Sequence, residues 1–397
     1  MMEKQLTIDN QQLTIKSGYK QTEVGLIPSD WEVKKLGDIA LLKRGKFTPR
    51  PRNNPIYYGG EIPFVQTGDV TKSNGKIINY TQTLNEEGLA VSALFIKGTI
   101  LMTIAANIGY TGILQIDMAC PDSLVAIDGL GKTDNDFLNF YFSFKREKLE
   151  ELATTGAQMN LNIERLSPFQ IPLPPTKAEQ AVIATALSDA DALINSLEKL
   201  IAKKRNIKQG AMHKLLQTKE GWEVKKLGEI AEIYTGNKNN QDKVENGLYP
   251  FFVRSQTIER INTYSFDGEA ILIPGEGNIG KIFHYINGKF DYHQRVYKIS
   301  DFKEGYFGKY IYRYISEYFG RHAMENSVKA TVDSLRLPTF QIFEIPFPPT
   351  LEEQVEIATI LSDMDAEINA LETKLEKYKN VKLGMMQNLL TGKIRLL

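Results

Sequence analysis

The stretch "LPPTKAEQAVIATALSDADALINSLEKL" at 173–200 returns later in the chain as "FPPTLEEQVEIATILSDMDAEINALETK" at 347–374. Along 174–217, 24 of the 44 residues are identical to the residues that lie 174 positions further on. Chance does not produce a match of this length, and an internal repeat indicates an architecture built from copies of one unit. The sequence therefore predicts two halves with the same organisation.

The repeated stretch has the features of a long helix. Thr176 with Glu179, and Thr350 with Glu353, fit the capping box that begins many helices. The apolar residues that follow are alternately four and three positions apart, as in a coiled-coil seam. The predicted seam consists of Ile183, Leu187, Ala190, Ile194, Leu197 and Ile201 in the first helix and Ile357, Leu361, Met364, Ile368, Leu371 and Leu375 in the second.

Two seams of matching length and phase favour helices that pair with each other. A helix of about 34 residues would be about 50 Å long, which is more than a compact domain core needs, so we expect a spacer. The alternative is that each amphipathic helix packs only on its own domain. Gly210 and Gly384 stand at equivalent positions and are expected to interrupt the helices.

The segments that precede the helices differ between the two halves. They are rich in glycine and aromatic residues, and short apolar runs such as "GTILMTI" and "RVYKIS" are typical of short strands. Aromatic residues at helical spacing in 136–152 and 305–319 predict at least one helix in each segment. We therefore expect mixed α/β domains at 20–171 and 218–345, helical regions at 172–217 and 346–397, and a leader at 1–19.

One glycine-rich stretch, "ILIPGEGNIGKI" at 271–282, fits two motifs associated with phosphate binding. Its equivalent in the first half, "ILMTIAANIGYTGIL" at 100–114, shares only Asn-Ile-Gly with it, and Ile282 stands where a phosphate loop needs Ser or Thr for Mg²⁺. We interpret the shared residues as a tight hairpin turn that presents side chains at a surface. The candidate contacts are Asn107, Asn278 and Lys281, the last of these to a phosphate.

A basic patch lies at 41–54, "LLKRGKFTPRPRNN", with almost no acidic residue near it in the sequence. Such a proline-broken loop suits contacts to DNA phosphates and base edges, although a solvated loop explains it equally well. The second half has "EIYTGNKNNQDK" at 232–243, which is polar but less basic. The candidate DNA-binding cations are Lys43, Arg44, Lys46, Arg50 and Arg52 in the first half and Arg254 and Arg295 in the second.

The composition limits the classes of function that this chain can have. Lys plus Arg equals Asp plus Glu at 48 each, so the net charge gives no support for nucleic-acid binding. The single cysteine, Cys120, excludes an internal disulfide and fits a reducing, cytoplasmic compartment. No apolar run approaches the ~18 residues of a membrane span, so no membrane contact is expected. Catalytic constellations and metal-ligand spacings are lacking, so we expect neither a catalytic residue nor a metal site.

Together these residues resemble the specificity subunits of type I restriction–modification systems, along nearly the whole chain. The similarity rests on "LGDIA" at 36–40 and "LGEIA" at 227–231, the two Asn-Ile-Gly turns, "PLPPTKAEQ", "PFPPTLEEQ" and the C-terminal "LLTGKIRL". The resemblance implies an α+β fold in which two α/β target-recognition domains are joined by an antiparallel coiled coil with an internal pseudo-two-fold repeat. Each domain would recognise one half of a split site in double-stranded DNA.

The resemblance also implies partners. The two helices would dock two methyltransferase subunits, a restriction subunit can join them, and S-adenosylmethionine, ATP and Mg²⁺ would bind those partners and not this chain. Two alternatives remain open: a two-headed scaffold that joins proteins without DNA, and an enzyme active alone, such as a fused nuclease. The first variable segment is about 20 residues longer than the second before its Asn-Ile-Gly turn, so contacts cannot be transferred from one half to the other there.

Overall fold

The computed structural model describes residues 18–154, 160–327 and 334–396, so most of the predicted leader lies outside the described residues. The chain divides into two compact units. One continuous segment, 197–374, forms the second unit, whereas the first unit contains both ends of the chain, 1–196 and 375–397. We call 20–171 the first domain and 218–345 the second domain.

The first unit contains short strands and short helices, as expected for mixed α/β structure. Its strands are β1 (Tyr19–Thr22), β2 (Gly25–Pro28), β3 (Glu32–Lys35), β4 (Leu41–Arg44), β5 (Tyr58–Phe64), β6 (Lys76–Ile77), β7 (Gln82–Leu84), β8 (Ala93–Phe95), β9 (Ile100–Thr103), β10 (Thr111–Leu114), β11 (Met118–Cys120), β12 (Leu124–Asp128) and β13 (Gln170–Leu173). Its helices are α1 (Leu36–Ile39), α2 (Thr67–Thr71), α3 (Glu86–Ala90), α4 (Asn135–Phe144), α5 (Arg146–Thr154) and α6 (Ile163–Leu166), after which the long helix α7 (Lys177–Leu216) begins.

Two sheets form the body of the first domain. The larger has the order β4-β12-β9-β10-β6, in which only the β10–β6 pair is parallel, and the smaller has the order β7-β5-β11-β8. Because side chains alternate across a strand, Ile100 and Met102 of β9 join the core cluster that contains α4, whereas Leu101 joins a cluster with Met118 and Cys120 of the smaller sheet. The central sheet is therefore buried on both faces.

The second unit is built around one six-stranded sheet with the order β15-β20-β18-β19-β16-β17. Ile271 and Ile273 of β18 pack against Tyr310 and Ile311, while Leu272 faces a separate cluster with Phe290. The strands are β14 (Glu223–Lys226), β15 (Glu232–Thr235), β16 (Tyr249–Phe252), β17 (Glu259–Ile261), β18 (Phe266–Pro274), β19 (His284–Tyr292), β20 (Val296–Ser300) and β21 (Glu344–Phe347). The helices are α8 (Leu227–Ile230), α9 (Gly308–Glu325), α10 (Leu337–Gln341) and α11 (Leu351–Leu389).

The helices α7 and α11 contain 40 and 39 residues, which corresponds to about 60 Å each. The hydroxyls of Thr176 and Thr350 each accept a hydrogen bond from the backbone N–H three residues later, at 3.2 Å, as the capping motif predicts. Both helices continue through Gly210 and Gly384, so the expected interruption is wrong. A helical glycine costs about 1 kcal/mol relative to alanine, which the flanking turns of good helix formers offset.

The helices α7 and α11 pack together as an antiparallel coiled coil. In the first unit the Asp191 carboxylate accepts from Lys382 Nζ at 2.5 Å, and in the second unit Asp365 makes the same ion pair with Lys208. The two aspartates lie 174 positions apart and so do the two lysines, which makes these pairs equivalent in the repeat. Rising numbers on α7 therefore meet falling numbers on α11, as an antiparallel pair requires.

The seam residues at the start of each helix pack on a different part of the protein from those in the middle of the helix. Ile183 and Leu187 join the core of the first domain, and Ile357 and Leu361 join that of the second, so the alternative of packing on the own domain describes the starts of both helices. The middles form the helix pair. Buried seam residues are Ile183, Leu187, Ile194, Leu197, Ile201, Ile357, Leu361, Ile368 and Leu375, and the half-buried ones are Ala190, Met364 and Leu371.

Candidate nucleic-acid interface

Three loops meet at one end of the central sheet in the first domain. The strands β4 and β9 end there and β12 begins there, because β12 pairs antiparallel with both. Gly45 N–H donates to Leu124 O at 2.8 Å, and Ile104 N–H donates to Ser123 O at 3.1 Å. These bonds gather 45–54, 104–110 and 121–123, which we call the first loop end.

The second domain repeats this arrangement. The strands β15 and β18 end where β20 begins, and β20 pairs antiparallel with both. Gln294 N–H donates to Lys238 O and Gly275 N–H donates to Arg295 O, both at 2.8 Å. The second loop end therefore consists of 236–243, 275–283 and 293–295, the counterparts of the three loops above.

A glycine allows the first loop to pass close to the third in both domains. A Cβ atom on Gly45 would lie 2.1 Å from Pro121 O, and a Cβ atom on Gly236 would lie 2.0 Å from Tyr292 O. No side chain fits at such distances without movement of the backbone. This pair of glycines was not predicted, although each glycine follows the matching "LGDIA" or "LGEIA" segment at the same short distance.

Three predicted cations of the basic patch converge on Asp122. Arg52 Nη2 lies 2.6 Å from Asp122 Oδ1, Arg50 Nη2 lies 3.8 Å from Oδ2, and Arg44 Nε donates to the Asp122 carbonyl at 2.7 Å. All three arginines remain exposed. Asp122 could not be recognised from the basic stretch at 41–54, because it lies 70 residues after Arg52 in the sequence. The fold therefore places an acidic residue in a patch that has almost none in the sequence.

The other candidates of the first half are dispersed. Lys43 Nζ lies 5.8 Å from the ring centre of Phe95 and is not among the cations that contact Asp122. Lys46 is exposed, and its backbone N–H donates to Cys120 O at 3.0 Å. Asn107 is exposed in the second of the three loops, where its carbonyl accepts from the Thr103 hydroxyl. The fold therefore brings Arg44, Arg50 and Arg52 together and leaves Lys43 apart.

In the second domain a glutamate occupies the centre of the loop end. Glu276 accepts a hydrogen bond from Arg254 Nη1 at 3.3 Å and forms an ion pair with Arg295, whose Nη1 lies 3.4 Å from Glu276 Oε1. The exposed Asn278 borders the same cleft, and Lys281 is exposed three residues further on. Glu276 belongs to the glycine-rich stretch that resembled a phosphate loop, and here its carboxylate is held by two arginines.

Amide side chains and one histidine complete this loop end. Gln294 Nε2 donates to Asn239 Oδ1 at 2.6 Å, and Arg295 N–H donates to His293 Nδ1 at 2.9 Å. Burial lowers the pKa of His293, and the nearby Arg254 and Arg295 lower it further. The imidazole is therefore neutral near pH 7, with Nδ1 free of a proton so that it can accept from the backbone.

The Asn-Ile-Gly segments lie in hairpins, as predicted, since β9 pairs antiparallel with β10 and β18 with β19. The expectation of a tight turn is wrong, because the connections span residues 104–110 and 275–283. Ile108 and Ile279 are buried, and this anchors each loop on its domain. Gly280 adopts a φ of +65°, and a Cβ atom on it would lie 2.9 Å from Gly320 Cα, so the glycine that both halves share has a backbone role in the second half.

Among residues 18–154, 160–327 and 334–396, no group of three or more His, Cys, Asp or Glu side chains is placed to hold a metal ion. No helix in the described ranges combines the length and apolarity needed to cross a membrane.

The family described as "Type I restriction modification DNA specificity domain" matches this sequence twice, at 28–209 and at 219–379. The putative type I restriction enzyme MjaX specificity subunit of Methanocaldococcus jannaschii is 28% identical, over 96% of this chain and 97% of that protein. The MjaVIII specificity subunit of the same organism is 26% identical over 96% of each chain.

Solved structures show the same fold. The crystal structure of a type I restriction–modification S subunit from M. genitalium covers 91% of this chain and 96% of its own, with a TM-score of 0.62 at 18% identity. A chain from a study of complex assembly in the type I system covers 93% of this chain with a TM-score of 0.55. With two matches that together span most of its length, the chain belongs to the type I restriction–modification DNA specificity family.

Proposed function

We propose that each domain recognises one half of a split site in double-stranded DNA through its loop end. The supporting observation is that, in both domains, exposed arginines meet a carboxylate from another loop at the same end of the sheet. Arginine can bind phosphates or donate two hydrogen bonds to guanine O6 and N7, and asparagine or glutamine can bind adenine. Such groups on loops can contact base edges as well as the DNA backbone.

The two loop ends differ in chemistry, so the two half-sites should differ in sequence. The first presents Arg50 and Arg52 around Asp122, whereas the second combines Arg254 and Arg295 with amide side chains. Arginine-rich and amide-rich surfaces favour different base edges. The candidate contacts predicted from the sequence, apart from Lys43, are retained in this proposal: Arg44, Lys46, Arg50, Arg52, Asn107, Arg254, Asn278, Lys281 and Arg295.

We further propose that methyltransferase subunits dock on the long helices. Leu193, Leu200 and Ile207 lie seven positions apart on α7 and keep 38%, 39% and 47% of their surface exposed. Apolar residues at heptad spacing that are exposed on a helix are suited to packing against another helix. The relatives' description as specificity subunits of restriction enzymes supports partners of this kind, with restriction subunits joining the same complex.

The chain itself would be non-catalytic. S-adenosylmethionine, ATP and Mg²⁺ would bind the partner subunits, and the complex would work in the cytoplasm, where its DNA lies. Titration calorimetry of the isolated chain with S-adenosylmethionine should show no stoichiometric binding. A stoichiometric binding heat would contradict the assignment of this cofactor to the partners.

A gel-shift experiment with duplex DNA tests the function as a whole. With equal numbers of acidic and basic residues, the isolated chain should bind DNA weakly and with strong salt dependence. Methyltransferase subunits should tighten the complex and add sequence specificity, because they contribute further phosphate contacts. Tight, specific binding by the chain alone, unchanged by these partners, would contradict the proposal, and an absence of DNA binding in the full complex would favour a protein scaffold.

A further inference from the structure

We propose that Asp122 and Glu276 are specificity-determining residues, each of which makes its loop end select a G·C base pair. The inference rests on the proposed function in DNA recognition. In this arrangement the carboxylate orients the arginines beside it toward the guanine edge, accepts from the cytosine amino group, and discourages contacts to phosphates.

Each loop end contains an acid–arginine cluster, in which one carboxylate lies between two arginines. The Asp122 carboxylate keeps 30% of its surface exposed between Arg50 and Arg52, and the Glu276 carboxylate keeps 25% exposed between Arg254 and Arg295. Each acid is therefore covered by guanidinium groups but still open to an approaching ligand. Arg50 Nη1 also donates to backbone carbonyls of its own loop, including that of Pro49 at 2.8 Å. Since an arginine has five N–H donors, the arginines of both clusters still keep donors for a base.

The two acids do not occupy equivalent positions in the repeat. Asp122 lies two residues before β12, where the second domain has Gln294 two residues before β20. Glu276 follows β18, where the first domain has Ala105 after β9. The same acid–arginine arrangement thus comes from the third loop in one domain and from the second loop in the other. Duplication of a common ancestor does not explain it, whereas a shared requirement of the loop ends does.

A contribution to stability is also a weak explanation. Exposed ion pairs add about 0–1 kcal/mol to the free energy of unfolding, and the arginines of both clusters keep about half of their side-chain surface. Each acid has a larger effect on what the arginines can bind. A phosphate that approaches them meets the like charge of the carboxylate, whereas guanine O6 and N7 are neutral acceptors and cause no such repulsion.

The carboxylate also has its own partner on the base pair. In the major groove cytosine presents its N4 amino group as a donor, which Asp and Glu side chains accept, while guanine presents two acceptors to arginine. A carboxylate adjacent to arginines therefore matches both edges of one G·C pair. Specificity is a difference between affinities, and this arrangement raises the affinity for the matching pair while it lowers the affinity for random sequence.

The test uses Asp122→Asn and Glu276→Gln in the assembled complex with methyltransferase subunits. Both changes keep the side-chain shape and remove one negative charge. The target duplex is the site found by sequencing methylated DNA from cells that express the wild-type complex, and the competitor is the same duplex with scrambled half-sites. Asp128→Asn and Asp267→Asn are the matched controls, since they remove the same charge at the opposite ends of β12 and β18.

We expect each test variant to bind the scrambled duplex more tightly and to increase the salt dependence by one or two phosphate contacts. The ratio of specific to random affinity should fall about 5- to 100-fold, and methylation should become tolerant at one G·C pair of one half-site. The controls should change neither quantity.

An unchanged affinity ratio, an equal effect in the controls, or a parallel loss of affinity for both duplexes would overturn the assignment. If the wild-type complex itself fails to distinguish the two duplexes, the proposed function is wrong as well, so the two failures are distinguishable.

Discussion

The two loop ends share a backbone arrangement but not their side chains. Gly45 and Gly236 allow the same close crossing, and the bonds from Ile104 to Ser123 and from Gly275 to Arg295 join the same loops. On this shared backbone arrangement, the first domain has arginines around Asp122, and the second has arginines around Glu276 together with amide side chains. The difference teaches that the shared backbone arrangement positions the loops and leaves their contact residues free to vary, as the proposed recognition of two different half-sites requires.

The largest effect is expected when the close backbone approach at Gly45 and Gly236, which both domains share, is removed. Gly45→Val and Gly236→Val each force a side chain against a backbone carbonyl. Each should lower the free energy of unfolding by about 1–3 kcal/mol and abolish recognition of one half-site while the other half-site is still recognised. Urea unfolding and methylation of half-site mutant DNA measure the two effects.

Gly210→Ala is the matched control, because nothing lies within 4 Å of its added Cβ and alanine favours a helix. It should raise stability by up to about 1 kcal/mol. If both valine variants retain recognition of both half-sites, the crossing does not position the loops.

A second prediction concerns the distance between the half-sites. We expect each domain to recognise its half-site independently and the helices to set the gap between them. Insertion of one heptad after Ile194 and one after Ile368 keeps the seam in phase and lengthens the pair by ~10 Å. At ~3.4 Å per base pair, the preferred gap between half-sites should grow by roughly one to three base pairs, with both half-site sequences unchanged. A methylation assay over targets of graded gap length measures this, and an unchanged optimum in a folded, assembled variant would exclude the helices as the ruler.

A smaller difference should appear in acid. Burial lowers the pKa of His284 and, together with Arg254 and Arg295, that of His293, whereas the first domain contains no histidine. In the unfolded chain both histidines have an ordinary pKa near 6.5 and become protonated below it. In the folded domain their pKa is lower, so they stay neutral to a lower pH. This stabilisation is therefore present above about pH 6.5 and is lost as the pH falls further toward the folded pKa.

The two tryptophans, Trp31 and Trp222, lie in different units and can report this effect separately. In a Trp31→Phe variant the fluorescence of Trp222 follows the second domain, and in Trp222→Phe that of Trp31 follows the first. Between pH 7 and pH 5.5 the urea midpoint should fall more in the second domain. Equal shifts in both variants would contradict the histidine explanation.

Much of this architecture could be predicted from the sequence, because it depends on local patterns. The repeat, the threonine caps and the four-three spacing indicate two paired helices without any tertiary information. The continuity at Gly210 could not be predicted, since the cost of one glycine must be weighed against the packing of a whole helix. The length of the Asn-Ile-Gly loops was also missed, because buried Ile108 and Ile279 allow a longer connection than a hairpin turn needs.

The contact residues were harder to predict than the fold. The cations of the basic patch were visible as a run of charge, but their partner Asp122 comes from a strand connection far along the chain. Glu276 lies in the glycine-rich stretch at 271–282, where no neighbouring residue indicates that two arginines contact it in the fold. Tertiary structure brings both acidic residues next to the arginines. The pattern of charges along the sequence does not indicate such contacts.

Sequencing of methylated DNA tests the central claim most directly. The measurement compares the motif methylated by the wild-type complex with the motifs of Arg50→Ala/Arg52→Ala and Arg254→Ala/Arg295→Ala complexes. A two-part motif with a fixed gap is expected, in which the first variant loses discrimination in one part only and the second variant in the other part only. Each lost base contact should reduce discrimination by about 1–3 kcal/mol, or roughly 5- to 150-fold. A single continuous motif, or equal damage to both parts by either variant, would contradict the assignment of one half-site to each domain.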